Sequence, residues 1–182
     1  MKKIINSTQT VVKELCEGMV KAYPEVIAWD EQYNIISRRE SSTHKVQLIS
    51  GGGSGHEPSH AGFVGKGMLD AAVCGDVFAS PSIMQVYNAI LQNASEKGVL
   101  LIVKNYAGDM MNFGGAADMA IEDDGKTVEK VCVNDDVSID TPPERRGVAG
   151  TLFVHKIAGA LAEESASLQE VKAVAEKVIN NV

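Results

Sequence analysis

The stretch that organises this chain is Ser50-Gly51-Gly52-Gly53-Ser54-Gly55-His56-Glu57-Pro58-Ser59-His60. It contains four glycines within five positions, directly after the apolar run of residues 46–49. An ordered glycine costs roughly 0.5–1 kcal/mol more chain entropy than alanine. Such a concentration therefore indicates either a flexible linker or a backbone that bends tightly and approaches a ligand. Because apolar residues resume at 61–64, the pattern favours a binding loop.

Apolar runs on both sides of this loop predict a sheet. Strands are predicted at residues 46–49, 71–74, 99–103 and 128–133, with a further short strand at 34–37. The four main strands start 25 to 30 residues apart, which is the spacing of βαβ units. Residues 99–103 are continuously apolar, as expected for a strand covered on both faces. The predicted fold class is α/β, a mostly parallel central sheet with helices on both faces.

Helices are predicted between and after these strands from apolar periodicity and from start and stop signals. The predicted helices begin at Ser7 or Thr8, at Ser80-Pro81, at Gly108-Asp109, at Gly150, and at a capping box that starts with Ser167. Glu57-Pro58 is interpreted as a further helix start, which would place the Glu57 carboxylate near the positive end of a helix dipole.

Composition limits the classes of function. The chain has 182 residues, and we predict a single domain spanning 1–182. Its net charge of −7 and scattered basic residues argue against nucleic acid as a ligand. No apolar run is long enough for a membrane span or a signal peptide. Three distant cysteines, without zinc-type spacing, indicate reduced thiols. We therefore expect a cytoplasmic protein with no metal site.

Three loops follow predicted strands and carry polar residues. They are residues 51–60, 75–81 and 104–109. Since ligands bind at the carboxyl ends of strands in open α/β sheets, a parallel arrangement would bring His56, Lys104 and Asp109 together. This convergence is the main functional argument from the residues alone.

Common nucleotide and hydrolase motifs are absent from the glycine stretch. No Gly-Lys-Ser/Thr of a P-loop occurs, and Pro58 or His56 occupies the last glycine position of the dinucleotide fingerprint. His56 also occupies the final glycine position of a nucleophile elbow. Consecutive backbone N–H groups at residues 53–56 could still bind an oxygen-rich small ligand.

Each polar residue of these loops also has a purely structural interpretation. For His56, beside an acid in a glycine-rich loop, we favour general-base chemistry over packing. Asp109 is equally consistent with a helix N-cap. Lys104, at the end of an apolar strand, is either solvated or a donor to a ligand oxygen.

The remaining candidates carry less weight. His60 is equally consistent with packing, and His44 and His155 are interpreted as surface or helix residues. Asp135-Asp136 is interpreted as a solvated acidic loop in preference to a metal site. Arg145-Arg146 is consistent with either an anion site or an ordinary surface.

Residues 50–58 together with Lys104-Asn105-Tyr106-Ala107-Gly108-Asp109 resemble the dihydroxyacetone kinase family. The member type they resemble is the dihydroxyacetone-binding subunit of the bacterial phosphotransferase-linked kinase. Further matches are Met1 to Asn6, Gly67-Met68-Leu69, Phe78-Ala79-Ser80-Pro81, Asn112-Phe113 and the run from Arg145 to Thr151. The resemblance covers nearly all of residues 1–160.

The resemblance implies a site for a three-carbon ketone. Gly53, Ser54, Gly55 and His56 would surround dihydroxyacetone, and Lys104 and Asp109 would bind its hydroxyl oxygens. His56, helped by Asp109, would act as the general base. The chain would bind no cofactor, because ADP or ATP with magnesium would lie on a partner subunit that a phosphocarrier protein recharges. Family members of this type form homodimers and serve glycerol metabolism.

The chain also departs from the family pattern. Members of this type are roughly twice as long, and a histidine in their second half bonds covalently to the substrate. No residue here matches that histidine, and no second domain is expected within these residues. The chain would be either a fragment that corresponds to the first domain or a natural short form, and alone it is expected to have weak or no activity. Residues 139–144 also differ from the usual sequence. The alternative function implied by the family is a dihydroxyacetone-sensing transcriptional co-activator without kinase activity.

Overall fold

The computed structural model describes residues 3–182 and contains one six-stranded sheet. Met1 and Lys2, which open the N-terminal match to the kinase family, lie outside the described residues. The elements in chain order are α1 (Val11–Ala22), β1 (Ile27–Asp30), β2 (Ile35–Arg38), β3 (Gln47–Ser54), β4 (Ala71–Val77), α2 (Ile83–Asn93), β5 (Val99–Lys104), α3 (Ala107–Glu122), β6 (Val128–Val133), α4 (Thr151–Glu163) and α5 (Leu168–Ile179). Within residues 3–182, none of the helices combines the length and apolarity that crossing a membrane requires.

The sheet confirms the predicted fold class. Its strand order is β1-β2-β4-β3-β5-β6. The four strands predicted from their spacing, β3 to β6, are parallel to one another. β1 and β2 join one edge as an antiparallel pair. One hydrophobic cluster joins the sheet to α1, α4 and α5, and a second joins the opposite face to α2 and α3.

Strand β5 shows why a continuous apolar run predicts a central strand. Successive side chains of a strand point to opposite faces of the sheet. Accordingly, Leu100 and Ile102 belong to the cluster under α4 and α5, whereas Val99, Leu101 and Val103 belong to the cluster under α2 and α3. All five are fully buried.

The glycine stretch itself differs from the prediction. β3 continues through Ser54, so the predicted loop at Gly51 to Gly53 is the second half of a strand. Gly51 pairs with Val73 of β4, and a Cβ atom at Gly51 would lie 2.5 Å from the Val73 carbonyl oxygen. Glycine is therefore needed at position 51 because the neighbouring backbone passes too close for a side chain.

Several predicted element boundaries were wrong. Glu57-Pro58 starts no helix, since residues 57–60 form turns and the Glu57 carboxylate accepts a hydrogen bond from the Gly55 N–H at 3.0 Å. α1 begins at Val11, later than predicted. α2 begins at Ile83, because the Ser82 capping box and not Ser80-Pro81 starts it. β1 was not predicted. The short strand predicted at 34–37 corresponds to β2, and the Ser167 capping box is confirmed.

A buried ion cluster lies beneath the amino-terminal part of β3. The Asp70 carboxylate is fully buried and accepts hydrogen bonds from Lys45 Nζ at 2.6 Å, Arg38 Nη1 at 3.2 Å and the Leu48 N–H at 2.9 Å. Glu163 of α4 pairs with Arg38 at 2.5 Å. Two carboxylates thus balance two cations, and the cluster ties α4 to the sheet.

Candidate functional site

A pocket of about 450 Å³ lies at the carboxyl ends of β3, β4 and β5. The three loops whose convergence was predicted all reach it. Its lining residues are Gly53, His56, Phe78, Ser80, Lys104, Tyr106, Ala107, Gly108 and Asp109. His56, Lys104 and Asp109, which are distant in sequence, therefore share one pocket.

Close backbone packing shapes the floor of this pocket. A Cβ at Gly53 would lie 2.6 Å from the Ala79 nitrogen, and one at Gly75 would lie 2.2 Å from the Ala79 carbonyl oxygen. The segment after β4 is thereby held against the end of β3. Phe78 in this segment adopts a positive φ of 54° and lines the pocket. A bulky residue other than glycine at a positive φ is uncommon, and such residues are found preferentially at functional sites.

The polar side chains of the pocket are close enough to act together. Lys104 Nζ lies 3.5 Å from His56 Nε2. Lys104 is the last residue of β5, and Asp109 is the third residue of α3, whose N-cap is Tyr106. The N-cap interpretation of Asp109 was therefore wrong. Both residues are more than nine-tenths buried.

Two polar atoms in this group have no hydrogen-bond partner among residues 3–182. They are Asp109 Oδ1 and His56 Nδ1, and both are buried. Buried polar atoms without partners are rare in proteins, and a ligand or ordered water commonly satisfies them. The pocket thus presents hydrogen-bonding capacity suited to a small oxygen-rich molecule.

Burial also changes the proton affinities here. It raises the pKa of Asp109, an effect that the Ser80 hydroxyl, Lys104 and His56 partly offset. Burial lowers the pKa of Lys104, against the attraction of Asp109 and Asp135. Both shifts reduce the cost of moving protons within the pocket, and perturbed groups of this kind gather at functional sites.

Two of the predicted binding residues lie beside the pocket and not in its lining. The Ser54 side chain is buried, and its hydroxyl donates to the Gly75 carbonyl at 2.7 Å. Gly55 is exposed and has a φ of 118°. A Cβ there would lie 3.0 Å from the Phe78 ring. Ser54 and Gly55 thus shape the loop that carries His56.

The structure also places residues to which the sequence gave little weight. His155 was interpreted as a surface or helix residue, but on α4 it is fully buried, next to His60. Its spacing with Ala158 and Ala162 matches the buried stripe of α4 and could have indicated burial. His44 is exposed, as expected. Phe78 and Tyr106 carried no signal in the sequence except their place in two of the three loops.

The acidic and basic loops have structural contacts. Asp135 accepts hydrogen bonds from the Val148 N–H and the Gly150 N–H, both at 2.7 Å, and so anchors the segment before α4. The Arg146 guanidinium carbon lies 5.9 Å from the centre of the Tyr106 ring at the pocket rim. Across residues 3–182, no group of three or more His, Cys, Asp or Glu side chains has a metal-binding arrangement.

The Dak1 domain family matches residues 17–182, a range that includes the whole pocket. The chain belongs to the Dak1 family. One Dak1 relative, the dihydroxyacetone-binding subunit DhaK of a PTS-dependent dihydroxyacetone kinase from Listeria innocua, is 55% identical over 100% of this chain. The chain covers 56% of that relative, and it spans about half the length of the two curated DhaK subunits it matches.

Solved structures share the same Dak1 fold. The dihydroxyacetone kinase from C. freundii in complex with AMP-PNP and Mg2+ matches with a TM-score of 0.94 and 46% identity, over 99% of this chain and 34% of that one. A dihydroxyacetone kinase operon co-activator, DhaQ, matches with a TM-score of 0.86 and 38% identity, over 90% of this chain and 51% of its own. The Dak1 fold is thus found both in a kinase and in a co-activator.

Proposed function

We propose that this chain supplies the dihydroxyacetone-binding site of a dihydroxyacetone kinase, at which a phosphoryl group is transferred to give dihydroxyacetone phosphate. The observation that carries the proposal is the convergence of His56, Lys104 and Asp109 in one pocket. The names of the Listeria innocua relative and of the C. freundii kinase support the choice of substrate.

Each residue has a role that suits its position. The Lys104 ammonium and the Asp109 carboxylate bind the hydroxyl oxygens of the ketone. Gly53, which has no side chain, lets the substrate approach the backbone. Ser54 and Gly55 hold the loop around it. His56 accepts the proton of the terminal hydroxyl as that oxygen attacks phosphorus and the bond between phosphorus and the nucleoside diphosphate breaks.

Asp109 assists His56 electrostatically. A carboxylate in the same pocket stabilises the imidazolium that forms when His56 accepts the proton, while Lys104 opposes that charge. Because the imidazolium exists only once the proton has moved, neutralising the carboxylate with Asp109→Asn should cost more in turnover than in substrate binding. General-base contributions of this type are commonly about 10²- to 10⁴-fold in rate.

The nucleotide belongs, in this proposal, to a partner subunit that carries ADP or ATP with magnesium and is recharged by a phosphocarrier protein. The PTS-dependent name of the Listeria innocua relative supports this division. We also propose a cytoplasmic homodimer, with one substrate-binding domain formed by residues 1–182. Because a longer relative contributes further chain, we expect weak or no turnover from residues 1–182 alone.

The test separates binding from turnover. Dihydroxyacetone binding to this chain is measured by calorimetry, and turnover is measured with a nucleotide-bearing subunit, the phosphocarrier protein and a full-length DhaK subunit as positive control. The full-length protein carries the same substitutions at the matched positions. His56→Ala should abolish turnover, and Asp109→Asn should lower it at least ten-fold.

Matched controls exist on the same chain. His44 is an exposed histidine, and Asp118 is an exposed aspartate on α3; His44→Ala and Asp118→Asn should leave binding and turnover unchanged. Full turnover in the His56→Ala protein would refute its role as the base. Failure of the wild-type chain to bind dihydroxyacetone would refute the proposed substrate.

The likeness to the operon co-activator DhaQ supports a second candidate, a dihydroxyacetone sensor. A sensor needs the ketone-binding groups but not a general base. Binding of dihydroxyacetone without any turnover in the complete reconstituted system would favour the sensor. Turnover that depends on His56 would exclude it as the sole function.

A further inference from the structure

A buried cluster of polar side chains lies behind the pocket. Ser50 of β3 donates to the Ile102 carbonyl oxygen at 2.6 Å, which leaves the Ser50 oxygen as an acceptor. His60 Nδ1 lies 3.3 Å from the Ser50 oxygen and 3.2 Å from Nε2 of His155. This nitrogen carries either one proton or one lone pair, so it forms a hydrogen bond with one of the two and packs against the other. All three side chains are at least 95% buried, and the His60 ring is thus confined by two elements, β3 and α4.

The His60 ring also packs against the ring of the proposed base, His56. The His60 and His56 rings meet edge to face, with centroids 5.8 Å apart and an angle of 84° between their planes. His60 Nε2 lies 3.7 Å from the point that a Cβ of Gly52 would occupy, and Asp109 Oδ2 lies 3.6 Å from the same point. Among residues 3–182, this buried Nε2 atom has no hydrogen-bond partner.

We propose that His60 is a positioning residue of this site: Ser50 and His155 hold its ring, and the ring fixes the orientation of the His56 imidazole beside Asp109. The inference rests on the proposed function, in which His56 is the base. His60 does not line the pocket, so it acts through His56 and not on the substrate.

Charge explains why a buried histidine suits this position. The ionisable groups that face His60 are His56 from the turn, Lys104 from β5, His155 from α4 and Asp109 from α3. Burial, together with His155, Lys104 and His56, holds the pKa of His60 well below its ordinary value. The His60 side chain therefore stays uncharged when His56 accepts a proton, and it adds no positive charge beside Lys104.

The contact with His60 matters because the loop that carries His56 has little support of its own. His56 is only partly buried and follows the exposed Gly55, so its backbone lies in a surface turn. Its ring lies against Lys104 and His60. Misplacing a catalytic group by about 1 Å can cost about 100-fold in rate. A rigid neighbour anchored in the core therefore controls how often His56 points at the substrate.

The test compares His60→Asn with His44→Asn. Asparagine at 60 can keep the inner contact with Ser50 but lacks the ring that packs against His56. His44 is exposed and does not line the pocket, so its substitution controls for the same change of side chain elsewhere. In the kinase assay we expect His60→Asn to lower kcat about ten-fold, with KM changed less than two-fold, and His44→Asn to leave both unchanged.

A second readout does not need the proposed activity. Ring relaxation in ¹³C-histidine-labelled protein reports the mobility of His56. We expect His60→Asn to raise the mobility of the His56 ring while the His155 ring stays rigid. If the proposed kinase function fails, this readout still tests the contact between the two rings.

Ser50→Ala covers the case in which His60→Asn does not fold, because it removes one anchor and leaves both rings. It should increase His56 mobility in the same direction but less. A folded His60→Asn protein with unchanged kcat, or with an unchanged His56 ring signal, would overturn the proposal. So would an equal loss of order in every histidine ring, since that is the signature of a merely structural role.

Discussion

Acid destabilisation of the fold is expected because His155 is neutral and fully buried. Burial lowers the pKa of His155 from 6.5 to about 3, with a smaller contribution from Lys104. The unfolded chain takes up a proton on this residue below pH 6.5, whereas the folded protein does not. The stability that His155 contributes is therefore complete above pH 6.5 and is lost progressively as the pH falls towards 3.

The magnitude follows from the shift. One pKa unit corresponds to about 1.4 kcal/mol of unfolding free energy. A pH of 5 lies about 1.5 units below the unfolded pKa, so protonation of His155 in the unfolded state removes roughly 2 kcal/mol of unfolding free energy. The full shift sets an upper bound of roughly 5 kcal/mol near pH 3. Since a domain of ordinary stability has about 5–15 kcal/mol in total, the effect at pH 5 is easily measured.

The assay is urea unfolding of the wild type and His155→Gln at pH 7 and pH 5. The variant cannot titrate at this position, so it should lose about 2 kcal/mol less than the wild type between the two pH values. The pKa of His60 is lowered too, partly by His155, so the difference between the two proteins reports His155 together with its effect on His60. His44→Gln, at an exposed histidine, should behave as wild type. Equal pH dependence in wild type and His155→Gln would refute the reasoning.

Two further predictions concern stability. Asp70→Ala removes the fully buried carboxylate of the ion cluster and leaves two cations to share Glu163, so it should cost about 3–5 kcal/mol in urea unfolding. The exposed Asp76→Ala should change little, and a loss below about 1 kcal/mol for Asp70→Ala would contradict the buried pairing. Gly75→Ala forces a Cβ to within 2.2 Å of a carbonyl oxygen and should both destabilise the protein and weaken dihydroxyacetone binding. Gly18→Ala, where a Cβ on α1 would meet open space, should instead stabilise the protein by about 1 kcal/mol. Equal effects of the two glycine variants on stability would argue against the close backbone approach at Gly75.

The central sheet could be predicted because its signal is local. A continuous apolar run such as Val99–Lys104 reports burial on both faces without reference to any other part of the chain. β1 gives no such signal. Only Ile27 of this strand is buried, and the strand exists because β2 pairs with it and continues the sheet from β4. The pairing of an edge strand depends on residues that are distant in sequence, so sequence periodicity does not predict it.

Glycine composition identified the right place but the wrong conformation. By local propensity a run of glycines favours a loop over a strand, and here the backbone that passes alongside overrides that preference. At Gly51 the neighbour is Val73 of β4, and at Gly53 it is the segment that follows Phe78. Those neighbours lie 20 or more residues away in sequence, so only the three-dimensional packing shows that the glycines belong to a strand.

Some neighbours in the pocket follow from the order of the strands, and others follow from the packing of helices on the sheet. Parallel strand order is sufficient to bring the ends of β3 and β5 together, which is why His56 and Lys104 could be predicted as neighbours. Strand order does not predict the position of α4. This helix follows the last strand, and its His155 lies next to His60 behind the pocket. In the proposed function, the carboxyl edge of the sheet supplies the reacting groups, and His155 of α4 helps to keep them rigid. Substrate binding should therefore depend on the strand ends, and turnover on both.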